Sequence, residues 1–438
     1  MLRLYPLFLS ALAALAFASF SARAEVPAGK VMPAIVAHVD ANQEQAFALL
    51  ERAVNINSGT LNAPGVRRVG DLFRAEFDSL GFHTHWLDGA AFGRAGHLLA
   101  ERGDHGPRVL LIGHLDTVFE PDSPFQKFER DGDIAHGPGT SDMKGGIVVA
   151  LTALRALAAV EALDDLRITV VLTGDEEETG EPVDVARAAL IDAAVDADIA
   201  IGLENAADNP ATAVIARRSS TSWTLNVKAP SAHSSQIFRD SVGAGAIFEA
   251  ARILQAFQSQ LAGEKFLTFN PGIILGGAQV EFSPAQMSGR AAGKGNIIAP
   301  DAVVVGDLRA ISLEQIESAK ARMEEIVAAH LPQATAEITF QDSYPPLSPT
   351  DGNRKLLALY DQASRDLGFG AVTAVDPRDA GAADISFVAR HVDMALDGLG
   401  LLGGGNHTEK EFADLRTFRI QTQRLAMLLY RLSLGIKY

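Results

Sequence analysis

The sequence predicts an α/β protein with a mixed, mainly parallel sheet, into which a smaller α+β unit is inserted. Three observations predict this. Residues 109–112 and 168–172 are short, wholly apolar runs, the mark of strands buried on both faces, and 199–203 looks like a third. A long Ala/Leu/Val helix pattern over 143–159 separates the first two, giving the strand–helix–strand order of a doubly wound layer. From about Arg217 the texture changes to alternation, and the order strand, helix, strand, strand, helix, strand is ferredoxin-like.

Taken in order, the first helical pattern runs over 42–54, with Ala46, Leu49, Leu50 and Ala53 on one face. A second covers 66–80 and stops at Gly81, a C-cap glycine. The strand at 109–112, the helix at 143–159 and the strands at 168–172 and 199–203 follow. In the insertion, 223–228 alternates as a strand with one face in water. A helix over 244–261 and strand-like runs at 272–282 and 302–309 come next. Ser312 is placed as the N-cap of a helix over 312–331, and 336–344 is the last strand. The α/β texture resumes after Pro345-Pro346. The expected division is therefore 25–216 and 341–438 for the larger domain and 217–340 for the insertion.

Residues 1–24 read as a signal peptide. Arg3 starts it, an apolar stretch runs over 7–20, and Ala22-Arg23-Ala24 is a small-x-small cleavage site. The expectation is an exported protein, periplasmic in a bacterium with two membranes, with no membrane attachment after cleavage. The net charge of -16 and the lack of a basic patch argue against a nucleic-acid partner. With no cysteine, any transition metal must be held by His, Asp and Glu.

Four polar clusters interrupt the apolar runs: 113–118, 139–146, 175–178 and 403–407. Open α/β sheets place their chemistry just past the carboxyl ends of strands, where several of these clusters fall. His114 and Asp116 stand two apart after a strand, so Asp116 is placed to take the second N–H of a ligating imidazole. Asp142 opens the long helix, where Asp is also a favoured N-cap. The flanking Gly137, Gly139, Gly145 and Gly146 free the backbone for a close approach. Of the four adjacent acids, Glu177 is assigned to a metal and Glu176 to proton transfer. Glu204, after the third strand, and His407, after three glycines, complete the set. Three carboxylates and a hydroxide would balance two divalent cations. A histidine and carboxylate set without thiolate suits zinc, with cobalt or manganese as substitutes.

The pattern resembles the dinuclear zinc metallopeptidases that include glutamate carboxypeptidase, succinyl-diaminopimelate desuccinylase and aminoacylase. The resemblance rests on His114-Leu115-Asp116 and on Asp142-Met143-Lys144-Gly145-Gly146, with the other clusters in order. It implies a zinc-peptidase-like catalytic domain with a lid and dimerisation insertion, and two Zn2+. One zinc would be held by His114 and Glu204, the other by Glu177 and His407, with Asp142 bridging. Asp116 would orient His114, and Glu176 would be the general base and acid. The resemblance further implies a cis peptide at Asp142-Met143, a lid histidine at His233 for the oxyanion, and substrate contacts from Asn296 and Arg309. It implies a homodimer.

The expected activity is exo-carboxypeptidase cleavage of an amide bond in a small peptide or N-acyl amino acid. An aminoacylase or N-deacylase is the alternative, and a non-catalytic exported metal- or peptide-binding protein a further one. The sequence departs from glutamate carboxypeptidase in one respect. Asp342-Ser343-Tyr344-Pro345 stands where that enzyme has Arg-Pro, which removes a clamp for a terminal carboxylate.

Overall fold

The computed structural model describes residues 28–205 and 209–435; the predicted signal peptide lies outside them. Six strands form the main sheet in the order His83–Asp88, Gly96–Arg102, Arg167–Thr173, Arg108–His114, Ile199–Gly202, Met394–Leu396. The last three pairings are parallel and the first two antiparallel. Neighbouring side chains alternate between faces, as a pleated strand requires. Leu111, Val170 and Ile201 pack into one buried cluster with the helices Ala63–Ser79, Lys144–Ala159 and Arg416–Ser433. Leu110, Val171 and Ala200 pack on the other face with Leu190, Ile385 and Val388. Apolar residues on both faces explain why these strands read as continuous apolar runs.

A second, four-stranded antiparallel sheet has the order Thr268–Gly277, Asp301–Arg309, Ser220–Lys228, Thr335–Tyr344. In chain order that is 2-3-1-4, the ferredoxin-like arrangement. The helices Ala246–Leu261 and Leu313–Ala328 cover one face and enclose a separate core around Trp223, Leu225, Phe257, Val304, Leu308 and Met323. Ser312 caps the second of these helices, its side chain accepting from Gln315 N.

The antiparallel strands His83–Asp88 and Gly96–Arg102 are among the elements the sequence did not reveal, and two further elements differ from expectation. The run over 272–282 divides into Thr268–Gly277 and Gln279–Ser283, and the second part forms a hairpin with Ser288–Ala292. Gly276 and Gly277 carry no side chain to sustain the alternation there. The helix Ala28–Ala41 was not read from the sequence, although Val31, Ile35 and Val39 recur on one buried face. Pro33 inside it disguises the pattern. Among the described residues no helix is long and apolar enough to cross a membrane.

Candidate metal centre

His114 ends the central strand and pairs in register with Thr173, while Ile112 pairs with Gly202. Three parallel strands therefore stop at one edge. Beyond it follow Asp175 to Glu178 and Glu204, brought together by topology rather than by sequence spacing. A small sheet delivers the rest. Gly403–Gly404 and Phe412–Asp414 form a hairpin whose loop carries His407, and Phe412–Asp414 pairs with Ile134–His136, just before the Asp142 loop.

Asp142 lies between two imidazoles. Its Oδ1 is 3.2 Å from His114 Nε2 and its Oδ2 is 3.1 Å from His407 Nε2. Glu204 Oε1 lies 3.4 Å from His114 Nε2, and Glu177 Oε2 lies 3.0 Å from His407 Nε2. Two donor groups result, His114–Asp142–Glu204 and Asp142–Glu177–His407, each with its atoms within 4.8 Å of one another. Asp142 is no N-cap: Met143 holds that place, with no side-chain cap, and the Asp142-Met143 peptide is cis. The glycines serve close packing, since a Cβ on Gly146 would stand 2.1 Å from the Leu203 carbonyl oxygen. His407 itself has φ +62, a left-handed conformation uncommon outside glycine.

Asp116 is fully buried and does more than its spacing suggested. Its Oδ1 lies 3.3 Å from His114 Nδ1 and accepts Glu176 N at 3.1 Å. Its Oδ2 accepts Glu177 N at 3.1 Å and the Thr60 hydroxyl at 2.7 Å. Asp116 thus sets one imidazole, with its carbonyl oxygen 3.1 Å from the same Nδ1, and its carboxylate holds the loop of acids opposite.

Three supporting residues escaped the sequence reading. The buried Glu411 carboxylate accepts from Gly139 N, Ser141 N and Asp142 N at 3.0–3.2 Å, pinning the Asp142 loop. Asp397 accepts Glu204 N at 3.3 Å and is held by Arg217 at 2.9 Å. Arg217 also donates to Gly381 O at 2.7 Å and lines an open cavity of about 350 Å³ with Asp142, Glu176, Glu204, Asp379 and His407. Glu411, four residues past His407, offered the one local hint. Asp397 and Arg217 had none.

The electrostatics fit cations. Burial pushes the Glu177 carboxyl up to about 7, reinforced by Asp142 and opposed by its hydrogen bond with His407. Burial likewise raises Glu204, and Glu176 well above the usual carboxylate range. Hydrogen bonds donated to Asp142 and Glu177 hold His407 up at about 11. Protein protons therefore gather where the negative charge is in excess, which is what a divalent ion would displace. The 3.0–3.4 Å spacings also match donors sharing one small ion, roughly 3.3 Å apart for bonds near 2.0 Å in a tetrahedron.

His233, Asn296 and Arg309 are not among the cavity-lining residues. His233 and Asn296 are exposed and adjacent, with Ser234 N bonded to Asn296 O at 2.9 Å. Arg309 pairs with Asp307 at 3.0 Å on the inserted sheet.

The profile of peptidase family M20/M25/M40 matches residues 110–431, which include every residue of both donor groups. The chain belongs to this family. As a member it is a metallopeptidase or amidohydrolase, of a kind that typically works with two metal ions. Carboxypeptidase G2 of Pseudomonas sp. (strain RS-16) is 26% identical over 401 residues, covering 90% of each chain. Aminopeptidase PepT from Bacillus cereus ATCC 10987 shares the fold at a TM-score of 0.71 and 18% identity, over 89% of this chain and 99% of that one. The YXEP protein of Bacillus subtilis, a dinuclear metal binding peptidase of the M20 family, aligns at a TM-score of 0.61 and 15% identity, over 91% and 100%. The M20 fold thus extends over both sheets of this chain.

Proposed function

We propose that the protein is an exported, two-zinc carboxypeptidase that cleaves an amide bond in small peptides or N-acyl amino acids. The observation that carries the reading is Asp142, whose two oxygens each face a different imidazole. His114 and Glu204 would hold one zinc, Glu177 and His407 the other, and Asp142 both. When bound, such a pair polarises the scissile carbonyl and lowers the pKa of a water toward ~7.

The chain's own residues do the rest. Glu176, beside Glu177 on the cavity wall, takes the water's proton and returns it to the leaving amine. Asp116 keeps the proton of His114 on Nδ1, so that Nε2 stays free for the ion. Arg309 is assigned to a substrate carboxylate, the group its planar fork suits best. His233 and Asn296 sit side by side on the inserted domain and are assigned to the oxyanion and substrate together, delivered by closure of that domain or across a dimer. Overall similarity to carboxypeptidase G2 supports the carboxypeptidase reading. A homodimer is supported by the edge strand Thr268–Gly277, which exposes Ile274, and by exposed Ile247 and Phe248 of the helix Ala246–Leu261. Export rests on residues 1–24 and predicts that the periplasmic form begins at Glu25.

The test is turnover by zinc-loaded protein on peptides with free carboxyl termini and on N-acyl amino acids. Chelation should abolish it and zinc restore it. Glu176→Gln should keep both ions and the fold while losing roughly 10³-fold or more in kcat. Faster turnover of N-acetyl amino acids than of peptides would favour the deacylase. Peptide binding without turnover in zinc would leave only a binding protein.

A further inference from the structure

The chain crosses from the larger domain to the inserted sheet and back, and each crossing carries a side chain that grips the metal centre. On the way in it is Arg217, acting through Asp397 on Glu204 N. On the way out it is Tyr344, the last residue of the strand Thr335–Tyr344. The strand's register shifts between Asp342 and Tyr344, a bulge of the kind that re-aims a side chain. The Tyr344 ring packs on Phe387 with centroids 5.1 Å apart. Its hydroxyl donates to the Glu176 carbonyl oxygen at 2.8 Å and lies 3.3 Å from Thr179 Oγ1.

A phenol has one proton to give. Donation to Glu176 therefore leaves the Tyr344 oxygen to accept from Thr179, whose own oxygen accepts from Arg187 at 3.1 Å. Arg187 is buried and paired with Asp175 at 2.6 Å and Asp384 at 2.8 Å, so this end of the chain of bonds is fixed. The Glu176 backbone is consequently held on both sides of its Cα. Asp116, which sets His114, takes its N–H, and Tyr344, borne by the inserted sheet, binds its C=O.

We propose that Tyr344 is a positioning residue through which the placement of the inserted domain sets the proton-transfer geometry of Glu176. This rests on Glu176 being the base. Misplacement of a reacting group by about 1 Å can cost ~10²-fold in rate, so one hydrogen bond at this point is enough to matter.

Tyr344→Phe keeps the ring on Phe387 and removes only the hydroxyl. The expected result is a kcat ~10- to 100-fold lower, with KM within about twofold, both zinc ions retained and Tm near that of the parent. In a Glu176→Gln background the same substitution should have no further effect, because the two act as a unit. The proposal is overturned by an unchanged kcat, by a loss confined to KM, by zinc content or Tm collapsing with activity, or by an equal loss on top of Glu176→Gln. A fully active Glu176→Gln protein would instead remove the base itself, and this coupling with it.

Discussion

Asp116 makes four contacts with one carboxylate, to His114, Thr60, Glu176 N and Glu177 N. An amide at that position offers one acceptor oxygen instead of two. Asp116→Asn should therefore weaken zinc binding ~10- to 100-fold, measured by competition with a chromogenic chelator. Glu411 makes a stronger case for stability. Replacing it with Leu strands three buried N–H groups of the Asp142 loop, a cost of roughly 3 kcal/mol or more. Thermal unfolding should show the drop, with zinc content falling alongside. His114, Asp142, Glu177 and Glu204 were legible because each sits in or beside a polar break after an apolar run. Thr60, Asp397 and Glu411 were not, because an isolated hydrogen-bonding residue leaves no periodicity or spacing to read.

The helix Lys144–Ala159 and the buried strands Arg108–His114 and Arg167–Thr173 could be read with errors of a few residues, since burial dictates their pattern, whereas the helices Asp351–Asp366 and Arg416–Ser433 were not read. The hairpin that carries His407 could not be read. Its strands, Gly403–Gly404 and Phe412–Asp414, are too short to repeat any pattern, yet they decide where that imidazole goes. The helix Lys144–Ala159 meets the end of the Glu204 segment at Gly146, where backbone touches backbone. Gly146→Ala forces that contact apart and should cost about 1–3 kcal/mol. Because the displaced carbonyl belongs to Leu203, next to Glu204, zinc stoichiometry should drop toward one ion per chain. Retention of two ions at parental affinity would show that the contact can relax without moving Glu204.

On the scale of the molecule, the excess of buried carboxylates gives the metal-free protein a characteristic response to pH. Burial raises Glu177 and Glu411 to about 7, so between the usual carboxylate value and 7 the folded state binds more protons than the unfolded. Stability is then full at low pH within this window and is lost as pH rises through it. Above 7, His407, raised to about 11, pulls the same way, while the buried Lys144, lowered to about 7, pulls against it. The Tm of the chelated protein should fall by several degrees from pH 5 to 8, while the zinc-loaded protein stays nearly flat. Association belongs to this scale as well. Under the proposed dimer, Phe248→Glu should yield a monomer in sedimentation, because it sets a charge on an exposed apolar side chain of the inserted unit.

The donors come from both sides of the insertion: four precede it, and His407 follows it. A ribosome delivers these parts in order. A nascent or truncated copy that stops anywhere in the returning segment before that histidine lacks its second cation cage, however well its earlier portions have folded. The second donor group is thus completed only once the segment after the insertion has been made, and a chain that stops short of it yields an unfinished centre.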